Sequence, residues 1–423
     1  MSDQSCAESS QRRRWLILAV GMIAMTAGCT FQYGLAYLIP ALRHAGVSLE
    51  LASVLVACPT AGLLLTLIGW GAAADRWGER VVLATGLALA GLVLLAASFV
   101  RSTAALGFSL ALGGAAGGSV FAASGRLILG WFARNERGLA MGIRQGAQPL
   151  GVALAAITLP PLAASGTALP LRFLGGFCVV AAALVVALVR DPARAQALPA
   201  AGDGAGARLA SPYRRPVLWR IHAASALLVV PQFTVATFAL VFLIDARGWD
   251  ASHAGRLLAV AQLCGALARL GAGYWSDRVG SRMRPMRILA VSTGIGLLAL
   301  AAAAAAGSSA AVPILLACAV VAVSTNGLAF TAVAEYAGSA WAGRALGIQN
   351  TGQNALAAAT PPVLALAIGD IGFGGSFAAV AAFGAVAAAL VPVSAERVEA
   401  GQRRRIGSAW RQPDPRPTVG TGG

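Results

Sequence analysis

The sequence predicts an all-α membrane protein, with twelve transmembrane helices in two six-helix bundles related by pseudo-two-fold symmetry. Three observations carry that expectation. Hydrophobic residues form 58% of the 423 residues and charged residues 11%, with a mean hydropathy of +0.74. A soluble core cannot hide so much apolar surface, so much of it must face lipid. Apolar stretches near the length of roughly 20 residues that spans a bilayer recur twelve times, centred near residues 27, 61, 90, 115, 151, 180, 231, 264, 296, 323, 356 and 383. The third observation is a short charged, glycine-bearing segment that occurs twice, half a chain apart.

That segment reads Gly71-Ala-Ala-Ala-Asp75-Arg76-Trp77-Gly78-Glu79-Arg80 between the second and third stretches. It returns as Gly271-Ala-Gly-Tyr-Trp-Ser-Asp277-Arg278-Val279-Gly280-Ser281-Arg282 between the eighth and ninth, with Asp75 and Asp277 202 positions apart. Both copies resemble the cytoplasmic loop signature of the major facilitator superfamily of secondary transporters, G-x-x-x-D-R-x-G-R-R/K. Glu79 and Ser281 stand where the signature has its first basic residue after the glycine. The resemblance covers nearly all of residues 15–394 and implies the two-bundle fold of that superfamily.

The elements follow in order. Residues 1–14 form an N-terminal tail, of which the first 11 read as disordered. Residues 15–190 form the first six-helix bundle. Residues 191–216, rich in Ala, Gly, Pro and Arg and without apolar periodicity, form a flexible linker. Residues 217–394 form the second bundle. Residues 395–423, with Pro413, Pro415 and Pro417, read as a disordered tail. No segment outside the membrane is long enough for a separate domain. The arginine run before the first span lacks a small-residue cleavage site, so that span is expected to remain.

A net charge of +16 raises the question of a nucleic-acid partner, which the distribution of charge excludes. Every basic residue is arginine, and arginines crowd alternate loops: Arg12 to Arg14, Arg76 and Arg80, Arg134 and Arg137, Arg190 to Arg220, Arg278 to Arg287, Arg344, and Arg397 to Arg405. By the positive-inside rule both termini and the linker are cytoplasmic, as expected of a multi-pass inner-membrane protein. Of the six cysteines, Cys29, Cys58, Cys178, Cys264 and Cys318 fall inside spans as small hydrophobes and Cys6 in the tail, with no metal spacing.

The internal repeat extends past the loops. Residues Trp131 to Gln148 answer to Trp341 to Gln353: pairing Gly142 with Gly347 sets Arg144 opposite Gln349 and Gln148 opposite Gln353, and both helices then reach a double proline, Pro160-Pro161 and Pro361-Pro362. Spans five and eleven are thus equivalent.

Charge inside hydrocarbon is costly, so intramembrane arginines are functional candidates. Arg144 and Arg269 each lie on the order of 11 Å inside the cytoplasmic surface at 1.5 Å per residue. No Asp or Glu inside a span is available to neutralise them. Their structural alternative is to latch helices or snorkel to the interface. The superfamily resemblance implies that spans five and eight meet across the bundle interface, where paired guanidiniums would offer forked donors to a carboxylate. Around Arg269, Gly265-Ala-Leu-Ala-Arg269-Leu-Gly-Ala-Gly-Tyr-Trp-Ser-Asp277 resembles the eighth span of the monocarboxylate and oxalate/formate branch, in which an arginine contacts the substrate carboxylate. Trp131-Phe132 with Arg137-Gly-Leu-Ala-Met-Gly resembles the same branch. Gly265 stands where animal monocarboxylate carriers have an aspartate, and the lysine that oxalate carriers hold in span eleven is absent.

The expected substrate site is therefore Arg144, Arg269, Gln148, Gln349, Gln353, Tyr33, Gln232 and Asn326, with Thr30, Gln32, Thr237 and Thr325 as further polar positions. The expected cytoplasmic gate is Gly71, Asp75, Arg76, Gly78, Arg80, Arg126, Asp277, Arg278, Gly280, Arg282, Glu335 and Arg344. Within it Arg126 pairs with Asp75 or lines the cavity, and Glu335 pairs with Arg278 or Arg344. Asp245, Asp370, His222 and His253 lie at span ends or near the surface, so no internal proton carrier stands out.

No nucleophile–base pair, metal spacing or phosphate loop occurs, so neither catalysis nor a cofactor or metal is expected. The expected function is secondary transport of a small organic anion by alternating access, as proton symport or exchange, by a monomer whose partners are substrate, lipid and protons. Proton-coupled multidrug efflux is the alternative within the fold, and favours an acidic cavity residue. A transporter-like membrane sensor is the alternative outside it, and needs more than short featureless tails.

Overall fold

The computed structural model describes residues 2–132, 140, 143–191, 211–337 and 341–396. Among them, eleven helices are long and apolar enough to cross a membrane. In hydrocarbon every backbone N–H and C=O must be satisfied within the protein, and helices do that segment by segment. The first bundle holds α1 (Ser2–Gly34), α2 (Leu49–Trp77), α3 (Glu79–Ala97), α4 (Thr103–Trp131), α5 (Ala147–Leu162) and α6 (Ala168–Leu188). The second holds α7 (Pro216–Val241), α8 (Ala251–Val279), α9 (Met283–Ala305), α10 (Ala311–Ala337) and α11 (Ala342–Leu390). The N-terminal residues from Ser2 continue α1 rather than breaking from it, in keeping with the helix-favouring Ala, Glu, Gln and Arg among them.

The count of eleven comes from α11, 49 residues with a non-helical Gly372 inside (φ 68°, ψ 179°). A straight helix of that length would run to about 74 Å, far beyond a bilayer core of about 30 Å. Its two ends instead meet neighbouring residues of α7. His222 bonds Gln349 near one end, and Arg220 donates to the carbonyls of Leu390 and Ala389 at the other. The chain therefore doubles back at Gly372, a backbone position that glycine alone adopts readily.

Within the first bundle α2 and α3 pack on α4, and α1 packs on α5 and α6; within the second, α11 packs on α7 and α9, and α8 on α10. The two most extensive contacts that join the bundles are α5 with α8 and α2 with α11. The internal repeat exchanges these two contacts, as a pseudo-two-fold axis requires.

The bundles are drawn together at one end. There Arg43 forms an ion pair with Asp245 across the interface. At the same end α8 lies so close to α5 that a Cβ on Gly255 would sit 2.2 Å from the Ala156 carbonyl oxygen. At the opposite end, which carries the two signature segments, the bonds of Arg80, Asp191, Arg220, Arg282 and Glu396 all stay within one bundle.

Candidate functional site

Between the bundles lies a cavity lined from α1, α2, α5, α7, α8, α10 and α11. Its charged group is Arg269. Helix α8 starts where Asp250 caps it, accepting the His253 N–H at 2.9 Å, and stops at Gly280, whose left-handed φ of 61° ends the helix. Between those points Arg269 Nε donates to the Val323 carbonyl on α10 at 3.2 Å, which fixes the guanidinium. Its two Nη nitrogens make no hydrogen bond among the described residues, and the side chain lines the cavity.

Four carboxamides line the same cavity, from Gln32, Gln148, Gln232 and Gln262, together with Thr60 and Thr237. Gln32 Nε2 donates to Thr60 Oγ1 at 3.2 Å, while its Oε1 is buried without a hydrogen-bond partner among the described residues. Gln232 Oε1 accepts from Asn326 Nδ2 at 2.9 Å. Tyr33 stands edge-on to Phe233 across the bundle interface, with ring centroids 5.7 Å apart. No carboxylate lines the cavity among the described residues. A fixed guanidinium among amides and aromatic rings can hold an oxyanion and has nothing to neutralise a cation.

Of the eight residues expected at the substrate site, Arg269, Gln148, Gln232 and Tyr33 line the cavity. Asn326 and Gln353 stand one layer behind, bonded to each other at 3.3 Å and through Asn326 to Gln232. Gln349 lies deeper in the second bundle, bonded to His222 and Ser225. Arg144 is buried inside the first bundle: Nε and Nη2 donate to Ser124 Oγ at 3.0 and 2.8 Å, and Nη1 to Gln145 Oε1 at 3.3 Å. The structure thus does not bring the two arginines onto one cavity wall, because the hydroxyl of Ser124 on α4 takes the Arg144 fork. Sequence reading missed Gln262 and Thr60. Gln262 lies seven residues before Arg269, two turns along the same helical face, and that spacing was the available signal.

The signature segments are mostly helix rather than loop. Residues through Trp77 continue α2, and residues through Val279 continue α8, so the chain turns at Gly78 (φ 88°) and Gly280. At Gly78 a side chain would also collide with Asp191, whose Oδ2 would lie 2.4 Å from the new Cβ. Asp191 Oδ1 accepts the Arg80 backbone N–H at 2.8 Å, and the Arg80 guanidinium donates to the Val186 carbonyl. In the second half Glu396 accepts the Arg282 backbone N–H at 2.6 Å and the Ser281 hydroxyl.

Glu335 pairs with Arg282 at 3.1 Å, not with Arg278 or Arg344 as the sequence suggested. Arg278 and Arg344 lie instead over the rings of Tyr274 and Trp341, at 4.8 and 5.0 Å. Arg282 also pairs with Asp277. Burial works against its charge, but its hydrogen bonds to Glu335 and Asp277 outweigh that and raise its pKa. Gly71 lies within α2, and Arg76 lies over the Trp77 ring at 5.8 Å. The side chains of Asp75 and Arg126 fall outside the described residues. His222, expected near the surface, is buried at 8% exposure, because Tyr213 and Trp219 cover its ring. Cys264 is exposed on α8 rather than buried.

Residues 16–361 match the sequence profile of the Major Facilitator Superfamily. The chain belongs to that superfamily. As a superfamily member it is a membrane transporter working by alternating access, and not an enzyme. It is 45% identical over 382 residues to an uncharacterised MFS-type transporter of Mycobacterium tuberculosis, covering 90% of this chain and 85% of that one. Among solved structures it resembles a bacterial homologue of the human lysosomal transporter Spinster in an inward-facing, occupied conformation. The TM-score is 0.74 at 13% identity, with 90% of this chain and 96% of that chain covered. A D-xylose–proton symporter matches with a TM-score of 0.71 at 15% identity, covering 90% and 97%. At those identities the likeness concerns the major facilitator fold alone.

Proposed function

We propose that this superfamily member moves a small, monocarboxylate-like organic anion across the inner membrane. The observation that carries the reading is Arg269: among the described residues its guanidinium lines the cavity with unbonded Nη groups and no lining carboxylate balances it. An unpaired charge in a partly dry site is costly unless a ligand completes it. The amide lining, with the unpartnered Gln32 oxygen, favours anions that also carry a hydroxyl donor. Arg144, held by Ser124, ties the segment before α5 to α4 and adds to the positive potential from behind the lining side chains.

In this reading α11 supplies two crossings, before and after Gly372, for twelve in all. The arginine-rich end carrying the signature segments faces the cytoplasm, together with both termini. The end closed by Arg43 and Asp245 is then the periplasmic one, and the conformation faces inward. The resemblance of the Arg269 stretch to the monocarboxylate and oxalate/formate branch supports the same substrate class.

The test is uptake into proteoliposomes of labelled lactate, glycolate and oxalate, beside a labelled organic cation. Uptake of one of the anions that falls to background in Arg269→Ala supports the proposal. Uptake of the cation alone would replace it with the efflux reading.

A further inference from the structure

Buried in α7, and unused by the substrate reading, is the imidazole of His222. Its Nδ1 lies 2.6 Å from Gln349 Oε1 and its Nε2 lies 3.1 Å from the Tyr213 hydroxyl. Gln349 Nε2 donates to Ser225 Oγ, which leaves the amide oxygen toward His222, so Nδ1 must carry the hydrogen. Nε2 is therefore the atom that can gain or lose a proton. Tyr213 stacks on the ring at 5.9 Å and lies in the short 3-10 helix Pro212–Arg214, at the same end as the signature segments. Burial raises the pKa of its phenol, which keeps its own proton and can donate to a neutral Nε2.

Behind Nδ1 the hydrogen bonds run on to the cavity and reverse direction once, at Ser225. Gln349 and Gln353 both donate to Ser225 Oγ, the second at 2.6 Å. Gln353 also donates to Asn326 Oδ1 at 3.3 Å, and Asn326 donates to Gln232 Oε1 at 2.9 Å. Gln232 lines the cavity, and with its oxygen occupied it presents its NH₂ there. The path crosses α7, α11 and α10, and a positive charge at its head strengthens the first bond and so shifts the competition between Gln349 and Gln353 for the Ser225 oxygen they share.

The charged groups on the surrounding elements are engaged elsewhere or exposed. Arg220 of α7 donates to the Leu390 and Ala389 carbonyls, and Arg344 of α11 lies over the Trp341 ring. On α10 Glu335 pairs with Arg282, and Tyr336 belongs to the apolar cluster of this bundle. On α8 Asp277 pairs with Arg282 and Arg278 lies over Tyr274, while Arg214 beside Tyr213 and Arg284 and Arg287 on α9 are exposed. No carboxylate contacts the imidazole among the described residues. Histidine is the side chain whose charge ordinarily changes between pH 5 and 8, and the other two histidines, His44 and His253, are exposed.

We propose that His222 is the proton-binding site that couples this transporter to the pH gradient, loaded at Nε2 from the Tyr213 side and linked to the cavity through Gln349, Ser225, Gln353, Asn326 and Gln232. The step is a proton transfer alone. A water-borne proton forms the Nε2–H bond, and the Tyr213 hydroxyl gives up its bond to Nε2, turns away and accepts instead. The proton site stands on geometry of its own, whereas its coupling to an anion rests on the reading above.

Because the chain has three histidines, ¹⁵N-histidine NMR of the purified protein resolves each, and His222→Asn identifies the resonance. The expected result is a bare Nε2 with protonated Nδ1 at alkaline pH, passing to imidazolium as the sample is acidified from pH 9 to pH 5, and an altered midpoint in Tyr213→Phe. A second arm needs no substrate. In a cysteine-free background with a cysteine at Ala236, which lines the cavity, the labelling rate of the parent relative to His222→Asn should change at least threefold across that range. A His222 resonance that keeps one protonation state from pH 5 to 9, the opposite tautomer, or a constant rate ratio would overturn the proposal. Failure of lactate, glycolate and oxalate to be transported would instead remove the anion reading and leave both of these readouts standing.

Discussion

The carboxylate of Asp191 accepts the backbone N–H of Arg80 at 2.8 Å, and so ties the turn after α2 to the end of α6. Glu396 makes the equivalent bond to Arg282 at 2.6 Å in the second bundle. In each half an acidic residue just past the last helix clasps the turn of the signature segment. The glycine of that turn is needed in the first half for space as well as for its backbone, since a side chain on Gly78 would strike Asp191.

These clasps lie in different bundles and share no partner. Asp191→Ala and Glu396→Ala should each lower stability in detergent by about 1 kcal/mol, the usual contribution of such a bond at a partly exposed site. The double variant should be additive to within about 0.5 kcal/mol. A thermal-unfolding series measures this, and a strong coupling between the two would mean the turns are held by something common to both bundles.

At the closed end two kinds of contact compete for importance. The Arg43–Asp245 pair is partly exposed, with 38% and 32% of the side chains accessible, and pairs of that kind are worth about 0 to 1 kcal/mol. Arg43→Ala should therefore raise labelling of a cavity cysteine from that end by less than about fivefold. Gly255→Leu forces α8 away from the Ala156 carbonyl, and overpacking of this kind costs about 1 to 3 kcal/mol. It should raise the same labelling by tenfold or more. The reverse order would make the ion pair the principal latch.

Orientation is tested by cysteine accessibility. In a cysteine-free background, a cysteine at Ser309, exposed between α9 and α10, should react with an impermeant reagent from the periplasm. One at Gly204 in the linker should react only from the cytoplasm. The opposite pattern would invert the topology.

Much of the fold was legible because its causes are local. Apolar length marks the spans, arginine bias suggests an orientation, and the paired signatures announce the repeat. Arg269, Gln148, Gln232 and Tyr33 could be picked out because polar side chains inside spans are rare enough to be conspicuous. What the sequence hid was partner choice. Arg144 and Arg269 stand at similar depth, yet Ser124 on another helix takes the first fork while only the Val323 carbonyl meets the second. Glu335 reaches Arg282 rather than the arginines nearer in register, and His222 is covered by Tyr213 from the end of the linker. Such pairings depend on how helices rotate in the bundle, which hydropathy alone does not specify. The break at Gly372, by contrast, falls in the glycine-rich stretch beside Asp370, between the last two apolar stretches, where the sequence places a span end.

The central claim is that Arg269 makes an anion part of the cavity's charge balance. Losing a hydrogen-bonded charge partner costs about 2 to 5 kcal/mol, so Arg269→Ala should weaken anion binding by at least about 30-fold. Arg269→Lys, which keeps the charge but loses the fork, should fall between that variant and the parent. The decisive measurement is calorimetric binding of lactate, glycolate and oxalate to the purified protein and to Arg269→Ala, with circular dichroism confirming that both are folded. The account predicts binding of at least one anion by the parent and its near-complete loss in the variant; anion binding of equal strength by both would contradict it.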